Sequence, residues 1–536
     1  MVIIFGFCLI LYRHGFLVHH QQSFLLKKSH ARTERALTFT ADKGQMMDRN
    51  GQLLAVSLPY YRFAIDPRKH DYNKGEVKKL ASILGDSFDR LWQKIEHSQG
   101  KKYILISNRL TDTQVKDLMA LSWEGLIFEN RRGRYYPMGE SASTLVGYVD
   151  LGGKGQIGME YQFDQYIDGK EGTMSFTQNL LNQVTQVHAY HPPIAGKCLT
   201  LTIDRRLQKM AYDALKDAVD YHDAEYASAV ILSSRTGEVL ALANYPSFDP
   251  NIPMASLDER VKNHAISDLF EPGSIIKPLA LASALEKNQH NMPTSVDTHG
   301  GSYTYLGQKF QDHQDLGEVE FEDILLKSSN IAMVKLVSQM PENTLIQSYQ
   351  KFGLFSPLFV QLPGESRGTH VDHPTKVDEA AMSYGYGLSV NLLAMARAYN
   401  ILANSGEDFG VHLVFEKHRP KSERVVSAKT VKELLPLMVK VTEQGVSSHK
   451  AKVNGVSVAG KSGTSHLLGE SGQYENSYVA TFAGFAPSED PEIVVTVMVY
   501  KPKKHGHYGG QVAAPIFSSL LSRALEYVPK ENVKWT

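Results

Sequence analysis

Phe270-Glu271-Pro272-Gly273-Ser274-Ile275-Ile276-Lys277-Pro278 sets a serine and a lysine three residues apart, directly after a Pro-Gly turn. The apolar positions that follow, Ile275, Ile276, Leu279, Leu281, Ala282 and Leu285, predict a helix that begins here. Residues i and i+3 share a helix face, about 5–6 Å apart at Cβ. A hydroxyl that is to attack a carbonyl needs a base within hydrogen-bond reach, and a lysine desolvated by an apolar helix has its pKa lowered toward the range of such a base. Ser274 is therefore the candidate nucleophile, with Lys277 as its base.

The pair alone is a weak signal. Chance gives roughly two or three S-x-x-K matches in a chain of this length, and Ser98 with Lys101, Ser348 with Lys351 and Ser447 with Lys450 also match. Partners elsewhere must decide. Ser328-Ser329-Asn330 follows between predicted helices, and Lys461-Ser462-Gly463-Thr464 follows at the end of a predicted strand. Each is common by itself, and Ser389-Val390-Asn391 is a decoy for the first. In this order and these contexts, the three together point to serine acyl transfer.

Roles follow from residue type. Ser274 attacks, Lys277 takes its proton, and Ser328 relays a proton to or from a leaving amine. Asn330 holds Lys277 or bonds a peptide substrate, and Lys461 supplies positive charge for a substrate carboxylate. Gly463 is read as leaving room for substrate along the strand edge, with Ser462 and Thr464 beside it. The N–H groups of Ser274 and Thr464 are the candidate oxyanion hole, a device worth about 3–4 kcal/mol per donor in comparable sites.

At 536 residues the chain exceeds one ordinary core, so two or three domains are expected. Lys plus Arg balance Asp plus Glu at 57 each, which argues against a nucleic-acid partner. Two cysteines, Cys8 and Cys198, argue against an internal disulfide framework. No metal or other cofactor is implied: His505 and His507 flank a glycine and read as a solvated loop.

Val2 to Leu11 is almost purely apolar, and Arg13 and His14 interrupt it before Gly15 to Val18. A spanning helix takes about 20 apolar residues, and no small-residue cleavage site follows. Residues 1–20 are read as an uncleaved membrane anchor, short on its N-terminal side as it would be if the true start lay upstream. Residues 21–190 read as an α+β module: a polar stalk, an Asn50-Gly51 hairpin turn, helical periodicity over Glu76 to Gln99 and Thr111 to Leu121, and a turn-rich stretch from Arg134 to Glu160. A linker is expected near His188 to Pro193. Residues 200–536 are the catalytic domain: a strand over Leu199 to Asp204, a helix from Arg205 to Tyr221, and a hairpin of Ala227 to Leu232 with Val239 to Ala243. A helical middle from Phe321 to about Met438 separates these from strands over Val456 to Lys461, Ser477 to Phe485 and Glu492 to Tyr500, and a helix from Gln511 closes the chain. This order predicts an antiparallel sheet flanked by helices, with the apolar Val494 to Val499 run away from the edge.

The three motifs, with Gly237 to Asn244, Lys327-Ser328-Ser329-Asn330, Gly364-Glu365-Ser366, Ser383-Tyr384-Gly385-Tyr386-Gly387 and Tyr508-Gly509-Gly510, resemble those of class B penicillin-binding proteins, most closely the septal FtsI-type division transpeptidases. Asn rather than Asp at position 330 favours the division branch over the elongation branch. Gly44 to Ser57 and Arg134-x-Tyr136-Pro137 resemble the elongated non-catalytic pedestal of that family, so the likeness runs from about Gly44 to Phe517. It departs in Lys43, where arginine is usual, in Ser462, where threonine is commoner, and in the short anchor. The resemblance implies a serine β-lactamase/transpeptidase-like domain that cross-links peptidoglycan stem peptides in cell division and is acylated by β-lactams. It also implies a single-pass protein of the bacterial inner membrane, its catalytic domain in the periplasm, whose partners are a polytopic glycan polymerase and other division proteins. The alternatives are a D,D-carboxypeptidase or β-lactam hydrolase of the same fold, and a catalytically silent scaffold or β-lactam sensor.

Overall fold

The computed structural model describes residues 2–527 except 22, 25–26, 29–32, 99, 180, 182, 253–258, 289–291, 416–420 and 470–471. Val2–His20 forms one continuous helix, and its Ile3–His20 portion, with mean hydropathy 1.3, is long and apolar enough to cross a membrane. Arg13 does not break it; the guanidinium lies over the Phe16 ring, 5.7 Å from its centroid.

Beyond this helix the chain forms two compact units, and neither is contiguous in sequence. One holds residues 1–45, 57–133 and 165–198; the other holds 46–56, 134–164 and 199–536. The last crossing between them, at 198–199, falls within the expected boundary at 190–200, and two earlier stretches also lie in the second unit. The Asn50-Gly51 hairpin and the 134–164 stretch belong with the catalytic unit, because their polar anchors lie there. Asp48 accepts from the turn amides of Asn50 and Gln52, both at 2.8 Å, and from Arg205 N at 3.0 Å. Gln208 Nε2 donates to Ser141 O at 2.8 Å and Ser247 Oγ to Glu140 O at 2.7 Å; within the stretch, Arg134 and Glu160, both buried, pair at 2.6 Å.

In the first unit, Ile104–Leu110 pairs antiparallel with the Tyr61 to Ile65 end of Leu53–Ile65. Helices Lys74–Leu84, Phe88–Glu96 and Asp112–Met119 close a core of Phe63, Ile65, Leu80, Leu91 and Leu118. The single helical run expected over Glu76 to Gln99 is two helices, since Gly85 takes a left-handed φ of 67° and ends the first. The expected linker at His188 to Pro193 is largely strand: Val184–His191 pairs with Gly172–Gln178, which pairs with Glu34–Phe39. An exposed strand carries no apolar alternation, so it reads as loop.

The catalytic unit is built on five antiparallel strands. Arg205–His222 (α1) begins at Asp204, whose carboxylate caps it by accepting from Arg206 N; Leu199–Thr200 alone of the expected 199–204 strand is extended in a ladder. Tyr226–Ser233 (β1) and Val239–Tyr245 (β2) form the hairpin. After the helices Lys277–Asn288 (α2), Asn330–Ser338 (α3) and Leu392–Ala403 (α4) come Ala459–Leu468 (β3), Tyr474–Ala486 (β4), Ile493–Tyr500 (β5) and Gly509–Tyr527 (α5). The spatial order is β2-β1-β5-β4-β3. The Val494 to Val499 run is thus central, and the strand bearing Lys461 is an edge. Helices α1 and α5 cover one face through Leu207, Leu215, Phe517 and Leu520 against Ile231, Phe482 and Val497, and α4 covers the other.

Removing one member of a buried ion pair leaves an uncompensated charge, so Glu160→Ala should lower the unfolding free energy by about 3–5 kcal/mol in denaturant titration. A loss below about 1 kcal/mol would contradict a stabilising role for this pair within the 134–164 stretch.

Candidate functional site

Ser274 lies in a short 3-10 turn, Gly273–Ile276, that runs directly into α2, so Lys277 opens the α-helix and Ser274 sits one turn before it. Two contacts hold this turn rigidly. The Tyr399 hydroxyl, wholly buried on α4, donates to Ile275 O at 2.7 Å. Gly273 N–H donates to Gly385 O at 3.2 Å, and Gly385, at φ 98°, approaches so closely that a Cβ there would lie 2.2 Å from Gly273 O.

Ser328 caps the short helix Ile324–Lys327 in the left-handed region, at φ 55°. That reversal turns its carbonyl and hydroxyl toward α2 and lets Ser329 cap α3, with Oγ accepting from Ala332 N at 3.0 Å. Lys277, buried completely, reaches across: its Nζ lies 2.6 Å from Ser328 O, 2.8 Å from Asn330 Oδ1 and 3.1 Å from Ser328 Oγ. Ser274 Oγ is 3.2 Å from Ser328 Oγ. Ser274, Ser328 and Lys277 thus form one chain of polar atoms. Burial drives the Lys277 amine well below the ordinary lysine pKa, the charge on Lys461 pushes it further, and Asp312 opposes both.

Lys461 is in β3, near its start rather than at the end of a strand as the sequence suggested. The ladder with β4 continues through Ser462, Gly463 and Thr464 to Leu468, because no turn residue intervenes. Its Nζ donates to Ser462 O at 3.0 Å, and burial lowers its pKa to about 8. Gly463 does not open space for a substrate. A Cβ there would meet Thr481 Oγ1 at 2.5 Å and Ile275 Cγ2 and Pro272 O at 2.9 Å, so the glycine lets the nucleophile turn pack onto the strand. On the other side of β3, Ser462 Oγ pairs with Ser448 Oγ at 2.9 Å, and Thr464 Oγ1 accepts from Gly509 N at 2.9 Å. Thr464 O lies where a Cβ on Gly273 would be 2.9 Å away, which sets the backbones of Thr464 and Ser274 side by side.

Ser274, Lys277, Ser328 and Asn330 therefore meet directly, with Lys461 near Lys277 and Gly463 under the nucleophile turn, whereas the Ser462 and Thr464 side chains bond on the other side of β3. The decoys do not join this group. Ser348 Oγ bonds Ser283 Oγ at 2.5 Å, Ser447 abuts Gly510, and Asn391 caps α4 by accepting from Ala394 N at 2.7 Å. Ser98 lies in the other unit. His505 and His507 stack on Tyr221 and Tyr478, and among the described residues no His, Cys, Asp and Glu cluster could hold a metal.

Sequence reasoning missed Asp312. Its carboxylate accepts from Ser329 Oγ at 2.6 Å, from Ile331 N at 3.1 Å and from Asn330 N, and so sets the turn that aims Ser328 and Asn330. Nothing in Gln311-Asp312-His313-Gln314-Asp315 marks it.

A serine turn packed on the edge strand of a five-stranded antiparallel sheet, with a buried lysine and a hydroxyl relay, defines a serine acyl-transfer domain. Residues 227–522 match the family described as Penicillin binding protein transpeptidase domain, and residues 38–201 match the Penicillin-binding Protein dimerisation domain. A curated relative, the probable peptidoglycan D,D-transpeptidase PenA of Neisseria meningitidis, is 32% identical over 511 residues, covering 94% of this chain and 87% of its own length. The peptidoglycan D,D-transpeptidase FtsI of Escherichia coli is 31% identical over 508 residues, covering 94% and 86%. Among solved structures, penicillin binding protein 3 from Mycobacterium tuberculosis, complexed with aztreonam, superposes with a TM-score of 0.70 at 25% identity, covering 91% of this chain and 97% of that one. The chain belongs to the penicillin-binding proteins and is a class B, FtsI-like member.

Asp312 raises rather than lowers the pKa of Lys277, so any harm from its removal is geometric. Asp312→Ala should slow acylation by a fluorescent penicillin about 10- to 100-fold through misplaced Ser328 and Asn330. An unchanged rate would mean that the turn holds without it.

Proposed function

We infer that this chain is a peptidoglycan D,D-transpeptidase that works through an acyl-serine intermediate. The observation that carries the reading is the buried Lys277 amine, bonded to Ser328 and Asn330 and linked through Ser328 Oγ to Ser274 Oγ. A neutral lysine has two N–H donors and one lone pair. Ser328 O and Asn330 Oδ1 occupy the two donors, which leaves the lone pair toward Ser328 Oγ. Ser274 then gives its proton to Ser328 as Ser328 gives its own to Lys277, and Ser274 Oγ attacks the carbonyl between two terminal D-alanines of a stem peptide. The oxyanion is met by the N–H groups of Ser274 and Thr464.

Collapse breaks the C–N bond, and the proton returns by way of Ser328 to the departing D-alanine amine. An amine from a neighbouring stem then attacks the acyl-Ser274 ester and gives up its proton along the same path; the ester C–O bond breaks as that proton passes back through Ser328 to Ser274 Oγ, leaving the two stems joined by a new amide and the serine hydroxyl restored. Lys461 attracts the terminal carboxylate of the donor stem. β-Lactams acylate Ser274 in the same way. The relatives' names, peptidoglycan D,D-transpeptidase, support the reaction over hydrolysis or silence.

The same reading places the Val2–His20 helix as a single-pass anchor in the inner membrane, with the catalytic unit in the periplasm, where peptidoglycan lies. The non-catalytic unit would then serve the glycan polymerase and other division proteins as a docking module.

Fluorescent penicillin should label the chain covalently, lose that label in Ser274→Ala and keep it in Ser447→Ala; with a stem-peptide donor and an added D-amino acid, an aminolysis product should appear. Label surviving in Ser274→Ala, or hydrolysis alone at high amine concentration, would overturn the site or the acceptor respectively. A second test uses pH. Lysine is cationic below its pKa, so with Lys461 near 8 the kcat/KM for a donor ending in a carboxylate should fall above about pH 8. Lys461→Arg, charged throughout this range, should carry the plateau to higher pH, and an unmoved alkaline limb would remove Lys461 from that role.

A further inference from the structure

Glu271 lies three residues before Ser274, and the mechanism above does not use it. Its carboxylate joins three separate segments of the catalytic unit. Oε1 accepts from Gly387 N at 2.8 Å and from the Tyr474 hydroxyl at 3.3 Å. The loop bearing Gly387 is already tied to the nucleophile turn by backbone bonds, with Phe270 and Val390 exchanging N–H to O contacts at 3.0 Å. Tyr474 is different. It opens β4, opposite Leu468 at the far end of the strand that bears Lys461 to Thr464, and its ring meets Tyr386 edge-on at 5.5 Å. The Glu271 carboxylate therefore tethers the distal end of the β3–β4 hairpin to the turn that carries Ser274.

The other oxygen, Oε2, is buried with no hydrogen-bond partner among the described residues, and burial pushes the carboxyl above its usual range. A carboxylate with one desolvated, unbonded oxygen is a poor stabilising device. A glutamine would offer the same acceptor without a buried charge. The arrangement suits a group that holds a rim of the site in place.

We propose that Glu271 is a positioning residue that fixes the distal half of β3, through Tyr474, relative to Ser274, so that an extended donor peptide lying along the β3 edge presents its scissile carbonyl to the nucleophile. This rests on the transpeptidase reading. The contact acts on the binding of the donor rather than on bond breaking, so its loss appears in KM and leaves kcat nearly intact.

The test is steady-state acyl transfer from a D-Ala-D-Ala stem-peptide donor by the purified full chain. Tyr474→Phe removes the hydroxyl and keeps the ring against Tyr386; Glu271→Ala removes the acceptor that Tyr474 and Gly387 share. Each should raise the donor KM about 5- to 10-fold with kcat within about twofold, and the double variant should be no worse than the worse single one, because both break one contact. Tyr478→Phe, whose hydroxyl bonds Asn476 and not Glu271, should behave as the unsubstituted chain. A normal KM in Tyr474→Phe, losses that multiply in the double variant, or a fall confined to kcat would overturn the proposal. Failure of the transpeptidase reading itself would show in the unsubstituted chain as absence of acyl transfer, and would take this inference with it.

Discussion

An ammonium wholly removed from water is driven toward its neutral form, and a second buried lysine nearby drives it further. Lys277 is in that position, with Lys461 as the neighbour. The surrounding structure makes the neutral form useful as well as favoured. Two oxygens fix the amine's direction, and Ser328 Oγ stands between it and Ser274. Where an ordinary surface lysine is a solvated cation, this amine is out of water and held within hydrogen-bond reach of a hydroxyl.

That interaction requires three stretches of chain, far apart in sequence, to meet within a few ångströms. The sheet and its helices accomplish this by close backbone approach. Gly463 allows the Pro272 to Ile275 turn to lie on the edge strand, and Gly385 allows the 383–387 loop to press on Gly273. The left-handed backbone of Ser328 presents its carbonyl and hydroxyl together to one amine. Asp312 holds that turn from behind. Each constraint is geometric and each serves the placement of one nitrogen.

The legibility of these features in sequence followed their locality. Ser274 and Lys277 are one turn apart, so their shared face could be read from spacing, and the central place of the Val494 to Val499 run followed from its unbroken apolarity. The two early stretches that join the second unit could not be read from position along the chain, because Asp48 and Ser141 meet Arg205 and Gln208 through contacts that spacing does not reveal. Asp312 and Tyr399 were invisible for the same reason: a polar residue in a polar loop and a tyrosine in an apolar helix acquire meaning only from what they touch. Gly463 was misread because a glycine beside a candidate site looks like room for a ligand, whereas here protein atoms fill the space.

The central claim is that Lys277 is neutral at the pH of catalysis and receives the Ser274 proton. The most direct measurement is the second-order rate of acylation of the unsubstituted chain by a penicillin as pH is raised from about 6 to about 9. An amine driven well below the ordinary lysine pKa predicts a rate that levels off within this interval instead of climbing through it. A rate that climbs about tenfold per pH unit throughout, as it would for a lysine of ordinary basicity, would contradict it.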